Sequence, residues 1–233
     1  MRGFTRLDRL IWKDAGLGKP RIRAKVRAGE IWVNGAAAVS GAMEIGKFDL
    51  VEMDGKIVQN RTARYLMLNK PAGVVSATTD AEHPTVIDLV KEPWASELHL
   101  AGRLDRFTTG LLILTNDSRV SEAITEPERK VGKRYRVGTD SPISGEMISH
   151  FEKGMWFAKE EITTAPAQVE LLDRETCLLT IYEGKNHQVK RMFARFGVRV
   201  VTLHREAVGE LELGDLEERE WRGFEPSEIL SGR

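Results

Sequence analysis

Along the first thirty positions apolar residues recur at a helical period. Leu7, Leu10, Ile11 and Trp12 fall on one side of a first segment, which Gly16 stops. Pro20 is placed to open a second helix, in which Ile22, Ala24 and Val26 are interleaved with Arg21, Arg23, Lys25 and Arg27. The pattern then turns to strands. Ile31-Trp32-Val33 leads into the hairpin dipeptide Asn34-Gly35, and Phe48 to Met53 leads into Asp54-Gly55. Residues 57–63 read as a polar connector and predict a domain boundary, with residues 1–60 on one side and 61–233 on the other. Past it, Arg64 to Asn69 is a buried strand running into the turn Lys70-Pro71-Ala72-Gly73. The run Leu111-Leu112-Ile113-Leu114-Thr115 is another, bounded by Asn116-Asp117. A weak helix is expected over Arg119 to Glu126, an alternating strand over Lys133 to Val137, and a helix near Glu146 to Gly154. Strands follow at 164–172 and 176–182. A last helix spans Gln188 to Phe196 with Val189, Met192, Phe193 and Phe196 as its apolar side.

Length and composition narrow the class. A chain of 233 residues with 41% hydrophobic content can bury a sizeable core, as one large domain or two unequal ones. No apolar run reaches membrane-span length, and the charged start lacks the apolar region of a secretory signal, so the expected location is the cytoplasm. Cys177 is the single cysteine, which leaves no disulfide framework and no cysteine metal site. The formal net charge is zero, but its distribution is not uniform. Residues 1–29 carry nine Lys or Arg against two acids, whereas residues 207–233 carry eight acids against three arginines. A basic end of this kind is suited to meeting an anion.

The polar stretch before the Leu111 run holds the candidate chemistry. Asp105 lies between Arg103 and Arg106, which favours its ionised form, on a loop feeding straight into a core strand. A turn-capping Asp beside a solvated Arg pair is the other reading of these residues. Tyr135 stands among Lys133, Arg134 and Arg136, the mix of aromatic and cation that holds unpaired bases, although a strand Tyr is also common packing. Lys70 is open to both an RNA contact and a structural role. His83 and His99 lack partners at metal-ligand spacing, and neither a P-loop nor a dinucleotide fingerprint occurs, so no metal and no cofactor are expected.

The stretch GRLDRFTTGLLILTND, residues 102–117, resembles the signature of the RsuA-type pseudouridine synthases, with Ser118 standing where that family usually has Gly. The blocks KPAG and SATTD-x-x-HPTV, K-x-Y-x-V at Lys133, EG-x-x-HQVKRMF at Glu183 and LHR-x-x-x-G at Leu203 match it in order. Residues 3–58, through RLDRLI and VRAGEIWVNG, resemble the S4-like RNA-binding domain. The resemblance implies a mixed α/β (α+β) protein with a small S4-like αα-β RNA-binding domain and a catalytic domain on a long, mostly antiparallel sheet. It implies isomerisation of uridine to pseudouridine in ribosomal RNA, of the uridine 516 type in 16S RNA, with 23S RNA, tRNA or a non-catalytic assembly role as alternatives. By the same resemblance Asp105 is the catalytic carboxylate, Tyr135 stacks on the target uracil, and Lys190 pairs with Asp105. Arg103, Arg6, Arg9, Arg21, Arg23, Lys25, Arg27 and Gln188 are the expected RNA contacts, and the protein is expected to act on ribosomal RNA as a monomer.

Overall fold

Residues 4–126, 129–158 and 160–230 are described by the computed structural model, and they divide at Ala63/Arg64 into two units. Arg2 and Arg233, counted above in the terminal charge balances, lie outside the described residues. In the first unit β1 (Phe4–Arg6) runs into α1 (Leu7–Ala15), and α2 (Lys19–Arg27) follows. Leu7, Ile11 and Ile22 are fully buried in that unit's own core. Trp12 is 61% exposed: one residue past Ile11 is a rotation of about 100°, which carries it off the apolar stripe. The strands β2 (Ile31–Val33), β3 (Ala36–Ala37), β4 (Glu44–Gly46), β5 (Val51–Met53) and β6 (Lys56–Gln59) complete it. Both central residues have positive φ in Asn34-Gly35 (51°, 79°) and in Asp54-Gly55 (54°, 72°), the turn geometry that two-residue hairpins require. The second turn folds β6 back on β5, so the expected connector is part strand. With Lys56 and Ile57 both exposed, β6 shows no alternation to read.

The second unit contains β7 (Tyr65–Lys70), β8 (His99–Leu100), β9 (Thr109–Thr115), α3 (Ser118–Thr125), β10 (Lys133–Thr139), α4 (Gly145–Lys153), β11 (Trp156–Phe157) and β12 (Ile162–Thr163). After these come β13 (Gln168–Leu171), β14 (Thr176–Ile181), α5 (Gln188–Ala194), β15 (Val200–Val208), β16 (Leu211–Glu212), β17 (Trp221–Gly223) and α6 (Ser227–Leu230). A nine-stranded sheet runs β13-β14-β10-β15-β9-β7-β17, with β16 added on β15 and β8 on β9. Every pairing in it is antiparallel except β15 with β9. Among the described residues no helix is long and apolar enough to cross a membrane.

The continuous apolar run of β9 follows from burial on both faces of the sheet. Leu112 and Leu114 point into one core with Leu66, Leu68, Phe151 and Phe193, under α4 and α5. Leu111 and Ile113 point into the other with Met67, Val120 and Ile124, under α3. The strand β15 is the main element that the sequence pattern does not announce. Its centre, Thr202 to Glu206, is polar, yet it lies between β10 and β9 in the middle of the sheet.

The parallel contact between β9 and β15 depends on Gly110. Its φ is +99°, and a Cβ there would overlap the carbonyl oxygen of Arg205 and lie 2.7 Å from the Arg205 nitrogen. Gly110→Ala is therefore expected to destabilise the second unit by about 2–4 kcal/mol, through backbone strain and steric overlap together. Chemical denaturation followed by circular dichroism measures this, and an unchanged midpoint would remove Gly110 as the reason the two strands can meet.

Candidate active site

Asp105 begins a tight turn, with the Thr108 amide donating to the Asp105 carbonyl at 3.0 Å. The turn is pinned from beneath by the Lys70-Pro71-Ala72-Gly73 block. Lys70 is fully buried, and its Nζ donates to the carbonyls of Pro71 (2.9 Å), Arg106 (3.0 Å) and Thr108 (2.9 Å). Of the two roles open to it in the sequence, this is the structural one. The Gly73 amide donates to the same Arg106 carbonyl at 2.9 Å. Ser76 Oγ donates to the Leu104 carbonyl at 2.7 Å and accepts from the Leu104 amide at 3.1 Å. Burial draws the Lys70 ammonium down to about 8, against an opposing pull from the Asp105 charge.

Two cationic or proton-bearing groups converge on one oxygen of Asp105. Lys190 Nζ donates to Oδ2 at 3.0 Å, and His187 Nδ1 lies 2.8 Å from the same Oδ2. Among the described residues Oδ1 has no hydrogen-bond partner. Partial burial works to raise the Asp105 pKa, but the Lys190 and His187 hydrogen bonds and the lysine charge outweigh it, and the carboxyl sits below its ordinary range. His187 caps α5 from the left-handed region (φ 49°), and from there its ring reaches the same Asp105 oxygen as Lys190 in the first turn of the helix. The sequence reading missed His187. The same EG-x-x-HQVK block that yields Lys190 contains it.

Tyr135 and Arg103 line the Asp105 cleft, whose volume is about 640 Å³. Tyr135 is 7% exposed and part of the core. Above it, Arg205 on β15 is buried, donating from Nε to the Leu111 carbonyl at 2.6 Å and from Nη1 to the Tyr135 hydroxyl at 3.4 Å. Its Nη2 is buried without a partner among the described residues. Lys133 also lines the cleft, drawn down to about 8 by burial first and by the Arg205 charge second, with Glu183 opposing. In the sequence Lys133 is one of the cations around Tyr135, and Arg205 lies in the LHR-x-x-x-G block that the resemblance sets near the site, but neither is assigned a role of its own there. A polar centre to a buried strand was the signal for Arg205.

The other expected contacts are spread out. Gln188 is buried, and both ends of its amide are occupied: Nε2 donates to Glu183 at 2.8 Å and Oε1 accepts from the Lys185 amide at 3.0 Å. It braces the loop before α5, in place of the RNA contact expected of it. In the first unit, Lys25 is held by Asp54 (2.6 Å) and Glu30 (2.8 Å), which offset its charge. Arg6 is paired with Asp8 at 2.7 Å. Arg9, Arg21, Arg23 and Arg27 are exposed, with no ion pair among the described residues. His83 lies against Arg106 and His99 against Ser121.

A depressed folded pKa makes ionised Asp105 stabilising above the ordinary carboxylate pKa, and this contribution is lost as pH falls through the lower folded value. Lys190→Ala removes the strongest opposing contact to burial. The Asp105 midpoint is expected to rise, as read by carbon-13 titration of the carboxyl. An unmoved midpoint would mean that the ion pair does not set the charge.

The geometry stands beside three findings of similarity. Residues 64–195 match the family model for RNA pseudouridylate synthase. "Ribosomal small subunit pseudouridine synthase A" of Pseudomonas aeruginosa is 40% identical over 97% of this chain and 99% of its own length, and that of Escherichia coli is 40% identical with the same coverage. A solved structure described as a pseudouridylate synthase superposes with a TM-score of 0.70 at 38% identity, over 96% of this chain and 97% of that one. The chain belongs to the RNA pseudouridylate synthase family.

Proposed function

We propose that this protein converts a uridine of small-subunit ribosomal RNA to pseudouridine, with Asp105 as the nucleophile. The observation that carries the reading is the Asp105 carboxylate, held by Lys190 and His187 on Oδ2 and free on Oδ1, beside Tyr135 in one cleft. The isomerisation breaks the bond from C1′ to N1 and forms one from C1′ to C5. Uracil loses its C5 proton and gains one at N1, so the balance is redox-neutral and needs no second substrate.

Each residue has a part that its position allows. The uridine must leave its stack to be reached, and Tyr135 offers the uracil an aromatic face within the cleft. Asp105, kept ionised by Lys190, attacks C1′ through Oδ1 as the C1′–N1 bond breaks and uracil leaves with the electron pair; after the base turns, its C5 displaces the carboxylate from C1′, the C5 proton is lost and N1 is protonated. Lys190 acts as the counter-ion. Arg103, exposed at the cleft, meets a phosphate, and the unpartnered Arg205 Nη2 with Lys133 gives the cleft a field suited to an anion.

Residues 1–60 act as the RNA-binding domain in this reading. Arg9, Arg21, Arg23 and Arg27 take backbone phosphates, Arg6 and Lys25 being already paired, which positions the RNA without reading its sequence. The small-subunit target is favoured by the names of relatives that align along almost their whole length. The protein acts as a monomer in this reading.

Mapping pseudouridines across all ribosomal RNA and tRNA, in cells with and without this gene, tests the reading. One small-subunit site is expected to disappear, to return with the wild-type gene, and to stay absent with Asp105→Ala. A lost 23S or tRNA site would replace the target and keep the chemistry. No lost site, or rescue by Asp105→Ala, would overturn the catalytic assignment.

A further inference from the structure

A large apolar side chain stands in water beside the reactive carboxylate. Phe107, two residues after Asp105, is 70% exposed. Exposure alone says little, since much of any protein surface is apolar. What distinguishes Phe107 is how firmly its backbone is held. It occupies the third position of the Asp105–Thr108 turn, and the carbonyls on either side of it, of Arg106 and Thr108, both accept from the buried Lys70 ammonium. Its neighbour Arg106 is tethered as well, donating from Nε to the Gly73 carbonyl at 3.1 Å, with Nη1 3.0 Å from His83 Nε2. The Arg106 guanidinium lies 5.3 Å from the centre of the Phe107 ring. An aromatic ring with a cation against it is thus presented to solvent on a rigid turn.

The chemistry at Asp105 supplies a use for such a ring. Taking a uridine out of its stack leaves a neighbouring base with one face bare. Aromatic rings and guanidinium planes are the groups that cover bare base faces in RNA recognition. Phe107 is not among the residues lining the Asp105 cleft, so its partner is a nucleotide outside the cleft and not the target itself.

We propose that the Phe107 ring, with the Arg106 guanidinium beside it, stacks on the base flanking the flipped uridine and takes the place the uridine left. The inference rests on the uridine-isomerising reading above, but not on which RNA is modified. Phe107 is then a positioning residue for the substrate, and the bond-making steps remain with Asp105.

Purified wild-type protein and variants, assayed on an RNA that the relevant cells carry unmodified, provide the test. Phe107→Ala is expected to keep the wild-type melting temperature and the maximal rate, and to raise KM about ten-fold, the scale of one lost base stack. Phe107→Trp is expected to restore KM and Phe107→Leu is not. Each flanking nucleotide is then replaced in turn by an abasic residue. At one of the two, wild type is expected to lose about ten-fold and Phe107→Ala to lose nothing further. Equal KM for wild type and Phe107→Ala, full rescue by Leu, or an undiminished penalty on both abasic RNAs would each overturn the stacking role. No product from the wild type would overturn the functional reading and this inference with it. Product from wild type with an indifferent Phe107 overturns the inference alone.

Discussion

The Lys70 ammonium has no exposed surface and three bonds to backbone carbonyls, one for each of its protons. A charge in that position is costly unless its hydrogen bonds are fully satisfied, and here they are. Two of the three acceptors belong to the turn that begins at Asp105. The same cation that must be satisfied for the fold therefore fixes the backbone from which the carboxylate projects. From Thr108 the chain enters β9, where Gly110 admits β15 at backbone distance, and β15 places Arg205 against the Tyr135 hydroxyl. Reactive loop, central strand and aromatic floor are linked through one buried lysine.

Within that frame the state of Asp105 is decided by opposing effects. Partial burial favours the neutral acid, whereas the Lys190 and His187 contacts favour the anion and prevail. A fully exposed ion pair would contribute about 0–1 kcal/mol and be weakened by salt. This pair lies partly in the cleft, with side-chain exposures of 37% for Lys190 and 28% for Asp105, where screening is weaker. Placing both contacts on Oδ2 has a chemical consequence. The charge is anchored and oriented at one oxygen while the other keeps its lone pairs for a reaction.

Much of this was legible in the sequence because several signals were local. The run 111–114, the Asn34-Gly35 and Asp54-Gly55 turns, the Gly16 stop and the apolar side of α5 are set by near neighbours, and each lies in or at the element expected of it. Resemblance added Asp105 and Lys190 as partners, which the fold brings to 3.0 Å across 85 positions. What remained hidden depends on long-range pairing. The strand β15 looks polar because its middle faces a cleft, and β6 looks like a connector because it is a short edge. Lys25 looked available for RNA because Asp54 is 29 positions away, whereas the partners of Arg6 and Gln188, Asp8 and Glu183, stand two and five positions off and were simply not weighed.

The central claim is that the Asp105 carboxylate forms the bond that lets the base turn. Release of the C5 hydrogen as tritium from RNA labelled at uridine C5, in a single turnover with purified protein, reports completion of the isomerisation that this bond makes possible. Wild type is predicted to release one equivalent per target, and Asp105→Asn, which keeps size and loses charge, to release none while binding the RNA with nearly unchanged affinity. Release at a comparable rate by Asp105→Asn would contradict the account at its centre.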